Sequence, residues 1–332
     1  MIFIVCLRQQ YPSRFPQNSA PGRVFLFYTL MDFDKRPLTV DEQIALLKER
    51  GMVIPDEAKA KMYLCNISYY RLSAYWYTLL ENPKQDHLFI RGTTFETVLD
   101  TYVFDRKLRL LIFDEIERME IALRTTIIHN YCLQYGNNWY EDKSLFRGKD
   151  TYFYKLQTIL MEEMNKTSEV FIKHYRTKYT KPANPPAWMA LELASFGQLS
   201  MLFKNLKNCD ARKNVAKHFG LDEIILESWL DSLSYVRNTC AHHMRLWNRK
   251  LPRTPIIPRN TKLIWLKEVP PIDRHNRIYI SISMITYLLS AISPGNSFSK
   301  KIKDLLNKYP SLPKYYMGFT DNWDKEELWK IN

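Results

Sequence analysis

Glycine is scarce in this chain, with only nine in 332 residues, and no Gly-rich loop of the kind that cradles nucleotide phosphates is present. Turnover of nucleoside triphosphates is therefore unsupported. Cysteine is equally sparse. Cys6, Cys65, Cys132, Cys209 and Cys240 are odd in number and scattered with no CxxC pair, which argues against a disulfide framework and a zinc site. A reducing, cytoplasmic compartment is the expectation. Among the seven histidines there is no HExxH, and the neighbours His242 and His243 would point about 100° apart on a helix, poorly placed to share one ion. No metal site and no cofactor are expected. Long apolar runs are missing too: Ile2 to Leu7 is too short to span a bilayer and lacks the basic flank of a signal peptide. Ser281, Ser283, Thr286 and Ser290 interrupt the most apolar later segment, so no membrane association is expected.

What the chain does have is apolar bulk and positive charge. A hydrophobic content of 46%, with 14% aromatic residues, suffices for a large core and excludes a disordered chain. Leu, Lys, Glu and Ile at helical spacing favour an all-α fold. Thr39 with Glu42 three positions on reads as a capping box for a helix that stops at Gly51. A second helix starts near Pro55-Asp56 and continues through Asn66 to Leu72, its tyrosines reading as core more than as a base-stacking surface. Thr94 to Tyr135 reads as one long helix, with a bend near Asp105 as an option. Its stripe of Val103, Leu108, Leu111, Ile112, Ile116, Met119, Leu123 and Ile127 suits the spine of a bundle. A helix over 156–164 precedes a loop rich in Lys, Tyr and Pro from Tyr175 to Pro186. Trp188 to Leu206 is helical with a break at Ser195-Phe196-Gly197, Ala211 to Phe219 is a short helix, and Asp222 caps the next one. Prolines at 252, 255, 258, 270 and 271 make Lys250 to Arg274 an extended crossing. Ile278 to Ile292 and Phe298 to Leu306 close the chain.

The densest chemistry lies in Arg237-Asn238-Thr239-Cys240-Ala241-His242. A guanidinium holds a phosphate through two parallel hydrogen bonds, and an imidazole gives or takes a proton near neutrality. RNA supplies its own nucleophile, the 2′-hydroxyl, so this pair suits RNA cleavage without a metal. Residues five apart on a straight helix lie about 140° apart around the axis. The two side chains therefore converge on one phosphate only if the helix breaks at Asn238 or a second chain contributes, which hints at a dimer. The same spacing also arises by chance in helical proteins. From Arg237 to Arg277 ten Lys or Arg face only Glu268 and Asp273, a net +8 of the chain's +13. If the helix continues, His242, Arg245 and Arg249 share one stripe, with His243 and Trp247 nearby to stack on bases and Lys250 just beyond. A merely solvated basic face is the alternative. Arg71, in the tyrosine-rich segment, is a further candidate phosphate contact.

Six ordered segments carry a resemblance. They are Leu38 to Gly51; Ile67 to Trp76; Phe104-Asp105-Arg106-Lys107-Leu108-Arg109 leading into Ile116 to Arg124; Trp188 to Leu206; Arg237 to Arg249; and Met317-Gly318-Phe319 with Trp323 and Trp329. Over roughly residues 38 to 330 the chain resembles the Abi-like (AbiD/AbiF) abortive-infection family of bacterial phage-defence proteins, and through it the HEPN superfamily of helical domains.

That resemblance implies a HEPN-like helical bundle, at about 94–250, inside a helical domain of 38–330 with a C-terminal helical cap. Residues 1–37 then form a poorly structured extension, with translation expected to start at Met31. It also implies a dimeric, metal-independent endoribonuclease toxin that arrests the host on infection. Arg237 would hold the scissile phosphate, Asn238 is the polar residue that follows it, and His242 would move the proton, leaving a 2′,3′-cyclic phosphate and a 5′-hydroxyl. In such bundles an acidic residue from another helix faces the motif. Glu117 and Glu120 are the candidates, although either can instead pair with Arg124 along its own helix. The second Arg and His at this spacing, Arg124 and His129, lack the asparagine and read as structural or interfacial. The expected partners are substrate RNA, a small regulatory RNA and a second copy of the chain. A non-catalytic RNA-binding module is the alternative, and a DNA-binding regulator, lacking a helix-turn-helix, ranks last.

Overall fold

The computed structural model describes residues 35–330, so all but the last three residues of the expected 1–37 extension, and the later start at Met31, lie outside the described residues. Twelve α-helices and several one-turn 3-10 helices make up those residues, and the only β-contacts among them are isolated bridges. The fold is all-α. It divides into two compact units at Val103/Phe104.

The first unit holds α1 (Val40–Glu49), α2 (Glu57–Ile67) and α3 (Tyr69–Trp76). Thr39 and Glu42 form the expected capping box, and Asp56 caps α2 by accepting the Lys59 N–H at 2.9 Å. One continuous helix was expected through Asn66 to Leu72, but Ser68 adopts φ 75° and splits it into α2 and α3. Its hydroxyl then accepts the Arg71 N–H at 3.3 Å, which starts α3 afresh. Of the tyrosines here Tyr69 and Tyr75 are buried, while Tyr70 is exposed. Arg71 is exposed on α3.

α4 (Phe95–Tyr135) is a single 41-residue helix that opens in the first unit and runs into the second. Of its predicted stripe Leu108, Ile112, Ile116, Met119, Leu123 and Ile127 are buried, whereas Val103 and Leu111 are half-buried. Gly136 ends it at φ 87°, a left-handed conformation that glycine adopts without a Cβ penalty. The second unit continues with α5 (Asp150–Lys166), α6 (Val170–Lys178), α7 (Ala187–Ala190), α8 (Phe196–Asn205), α9 (Asp210–His218), α10 (Glu223–Ala241), α11 (Ile278–Ile292) and α12 (Phe298–Lys308). The loop expected from Tyr175 begins later, because α6 extends to Lys178 around the buried Ile172 and Tyr175. α11 is buried along nearly its whole length. Even so, no helix among the described residues is long and apolar enough to cross a membrane.

α10 lies at the centre of this unit, packing on α8, α9 and α11. Ile225, Leu226, Trp229, Leu230, Leu233, Val236 and Cys240 form its buried face. Trp229 donates its indole N–H to the Ile256 carbonyl at 2.9 Å, and the Ile256 N–H reaches Ser228 Oγ at 2.8 Å. Those bonds lay the proline-rich crossing, Lys250 to Arg274, along α10.

Candidate functional site

The motif occupies the last turn of α10. Asp222 starts the helix by accepting the N–H groups of Ile224 and Ile225 at 3.0 and 2.8 Å. No break occurs at Asn238: the helix runs unbroken to Ala241, with His242 as its C-cap. It ends in a Schellman motif, Met244 N–H bonding the Thr239 carbonyl at 2.9 Å and His243 N–H the Cys240 carbonyl at 3.0 Å. His243 takes the left-handed position at φ 56°, where glycine is the usual occupant. The single stripe of His242, Arg245 and Arg249 therefore does not form, since the helix supporting it stops before the first of them.

What holds the terminus is a buried carboxylate far from it in sequence. Asp105, on α4, is fully buried and accepts the backbone N–H groups of Leu246 at 3.0 Å and Trp247 at 2.6 Å. Arg109, one turn along α4 and also buried, closes an ion pair with the same carboxylate. A buried charge is tolerated only when paired and hydrogen-bonded in this way. The Cys240 thiol lies against this pair. Burial, opposed by the Arg109 guanidinium and reinforced by Asp105, pushes it up to about 12.

Around this anchor the predicted residues separate. Arg237 is half-buried, its guanidinium 5.6 Å from the centre of the Phe113 ring on α4, and it makes a long hydrogen bond of 3.4 Å to Asn238 Oδ1. Asn238 and His242 are exposed. On an unbroken helix residues five apart leave the axis about 140° apart, so α10 does not by itself turn Arg237 and His242 to one side. Arg249 turns back onto α10, donating to Tyr235 Oη at 2.8 Å, and Arg245 is half-buried. Lys250 is exposed. Trp247 is a correction: only 2% of it is accessible and its ring packs edge-on against Tyr316, so it has no face to offer a base.

The acidic candidates resolve unequally. Glu120 pairs with Arg124 at 2.9 Å, and Arg124 also donates to the carbonyls of Leu191 and Ala194 at 3.0 and 2.8 Å. Glu117 is exposed, one turn from Phe113, and among the described residues neither carboxylate bonds His242. His129 is exposed on α4. No cluster of three or more His, Cys, Asp or Glu among the described residues is placed to hold a metal ion.

The sequence pattern that defines the Abi-like protein family matches residues 62–248, more than half the chain, from α2 to just past the motif. The chain belongs to that family. Membership places it, in general terms, in abortive infection and phage defence. No curated protein and no solved structure matches the chain.

Proposed function

We propose that this protein is a HEPN-type, metal-independent endoribonuclease that acts as a phage-defence toxin, with its site assembled from two copies of the chain. The observation that carries the reading is the placement of His242 at the exposed C-cap of α10, with Arg237 a turn and a half earlier and the terminus fixed by Asp105. Arg237 holds the non-bridging oxygens of the scissile phosphate. The 2′-hydroxyl attacks phosphorus, the 5′-oxygen departs, and His242 carries the proton between them, leaving a 2′,3′-cyclic phosphate. Proton transfer of this kind is worth about 10²- to 10⁴-fold. The divergence of the two side chains on one helix supports a homodimer, in which Arg237 of one copy faces His242 of the other.

Incubating the purified chain with total RNA in EDTA tests this. Cleavage by wild type that disappears in His242→Ala, with RNA binding kept, is the expected result. Binding with no cutting by wild type supports the second reading, a non-catalytic module that binds a small regulatory RNA. The exposed lysines and arginine of the proline-rich crossing, Lys250, Arg259, Lys262 and Lys267, favour that alternative because they offer charge without a reactive group.

A further inference from the structure

Away from the motif, the hairpin-like meeting of residues 143–150 with 204–207 forms an open surface cleft of about 410 Å³. Phe146 and Phe153 form its apolar floor, their rings edge-to-face at 5.0 Å, and Lys143, Arg147, Lys149 and Lys207 line its rim. Asp150 is the one acidic residue in that lining. The frame is well braced. Arg147 N–H bonds the Asn205 carbonyl at 2.7 Å, Lys207 N–H the Leu145 carbonyl at 2.8 Å, and Phe146 forms a β-bridge with Leu206. Arg147 is fixed further by its Nε bond to the Lys204 carbonyl at 2.8 Å and an ion pair with Glu227 on α10. Gly148, at φ 86°, turns the chain between Arg147 and Lys149 so that both reach the rim.

The charges do not cancel. Lys143 is paired with Asp150 at 2.6 Å and Arg147 shares Glu227 with the buried Arg212, but Lys149 and Lys207 have no acidic partner among the described residues. Two uncompensated ammonium groups above an apolar floor favour an anion carrying two charges and a flat apolar body. Tyr152 and Tyr154, the exposed sequence neighbours of the lining residue Phe153, lie outside the lining itself, with Lys143 Nζ 5.4 Å from the Tyr154 ring centre. Their rings are suited to stacking on a base, and the volume falls within the range of small-ligand pockets, roughly 300–1,000 Å³.

We propose that this cleft binds a nucleotide phosphate monoester, with Lys149 and Lys207 holding the dianion and the aromatic residues receiving the base. Two sources carry that chemistry, a free nucleoside monophosphate and the 5′-phosphorylated end of an RNA. In either case the site is separate from Arg237 and His242: Glu227, which braces it, lies ten residues before Arg237, about 15 Å along the helix.

The test uses the full chain carrying His242→Ala, so that cleavage does not consume the probes, and a Lys149→Ala/Lys207→Ala derivative. Both lysines are exposed, so the melting temperature should be unchanged. Calorimetry with adenosine 5′-monophosphate, and competition between a 5′-phosphorylated and a 5′-hydroxyl oligouridylate, provide the readouts. The proposal requires saturable binding of the mononucleotide, or at least a tenfold preference for the phosphorylated oligonucleotide, and loss of that signal in the double variant. Equal affinity for mononucleotide and oligonucleotide identifies the free nucleotide as ligand, whereas a strong preference for the oligonucleotide identifies the RNA end. Failure of both probes to bind, or a preference that survives loss of both lysines, overturns it. Since the mononucleotide arm needs no ribonuclease, it can succeed or fail independently of the cleavage assay.

Discussion

The carboxylate of Asp105 accepts the backbone N–H of Trp247 at 2.6 Å, tying the early part of α4, the longest helix among the described residues, to the loop that follows the Arg-x4-His motif. The same carboxylate neutralises Arg109. Asp105→Asn keeps the volume but leaves a buried guanidinium uncompensated, a change that typically costs about 3–5 kcal/mol. Urea unfolding of the variant should show a loss of that order. A loss below about 1 kcal/mol would mean that this carboxylate does not anchor the loop.

Mixing two inactive variants tests the shared site. If Arg237 and His242 act across a two-fold interface, Arg237→Ala and His242→Ala chains that exchange freely should regain about a quarter of wild-type cleavage, because half the dimers are mixed and each mixed dimer has one intact pair. Activity that stays at the level of the separate variants would sink the two-chain arrangement.

Phe113→Ala removes the ring beneath Arg237 and should lower cleavage by about two- to fivefold, the equivalent of an exposed cation–π contact of roughly 0.5–1 kcal/mol. The measurement is initial rate at saturating protein, alongside a Phe113→Tyr control that keeps a ring and should keep the rate. Equal losses in both variants would show that the ring is not acting on the guanidinium.

Trp247→Ala and Lys250→Ala should separate stability from binding. The buried tryptophan should cost about 3–5 kcal/mol of folding free energy, as large aromatic truncations do. The exposed lysine should leave stability alone but reduce the slope of log affinity against log salt by about 0.7, the value for one single-strand phosphate contact. An unchanged slope in Lys250→Ala would remove that residue from the RNA surface.

Cys240 gives a pH dependence. Its native value of about 12 lies above the ordinary 9, so the folded state keeps a proton that the unfolded chain gives up. The contribution to stability is complete below about pH 9 and is lost as pH climbs toward 12. At pH 8 Ellman's reagent should label exposed Cys65 in the native chain and reach Cys240 only after urea is added. Native labelling of Cys240 at the rate of Cys65 would contradict the packing.

Much of the fold was readable because its signals are local. The capping box at Thr39 and Glu42, the Asp222 cap and the apolar stripe of α4 each involve residues within a few turns of one another. What escaped was of two kinds. Ser68 and His243 both adopt positive φ, the first splitting a predicted helix and the second stopping α10, and neither position carries the glycine that usually announces such a turn. α6 was hidden because its Lys- and Tyr-rich composition resembles a loop, and only the burial of Ile172 and Tyr175 marks its inner face.

For the candidate site, residue type pointed to Arg237 and His242, but surroundings were out of reach. The partner of Leu246 and Trp247 lies 141 and 142 residues away, so Asp105 stood out as part of a resembling segment and as the place of an optional bend in α4, not as their anchor. Trp247 looked like a stacking residue because an aromatic amid cations suggests one. Its burial against Tyr316, far along the chain, decides otherwise. The Glu120 to Arg124 pair needed only helical spacing, and that reading was already open.

Gly197 extends the influence on the motif beyond its own helix. A methyl group built there would come within 3.2 Å of Ser234 Oγ, so α8 is seated against α10 with little tolerance one turn before Arg237. The close seating of α8 against the motif helix thus relies on an absent side chain. Gly197→Ala would have to push Ser234 Oγ aside by a few tenths of an ångström at that seam, a strain placed in a helix that carries none of the motif residues.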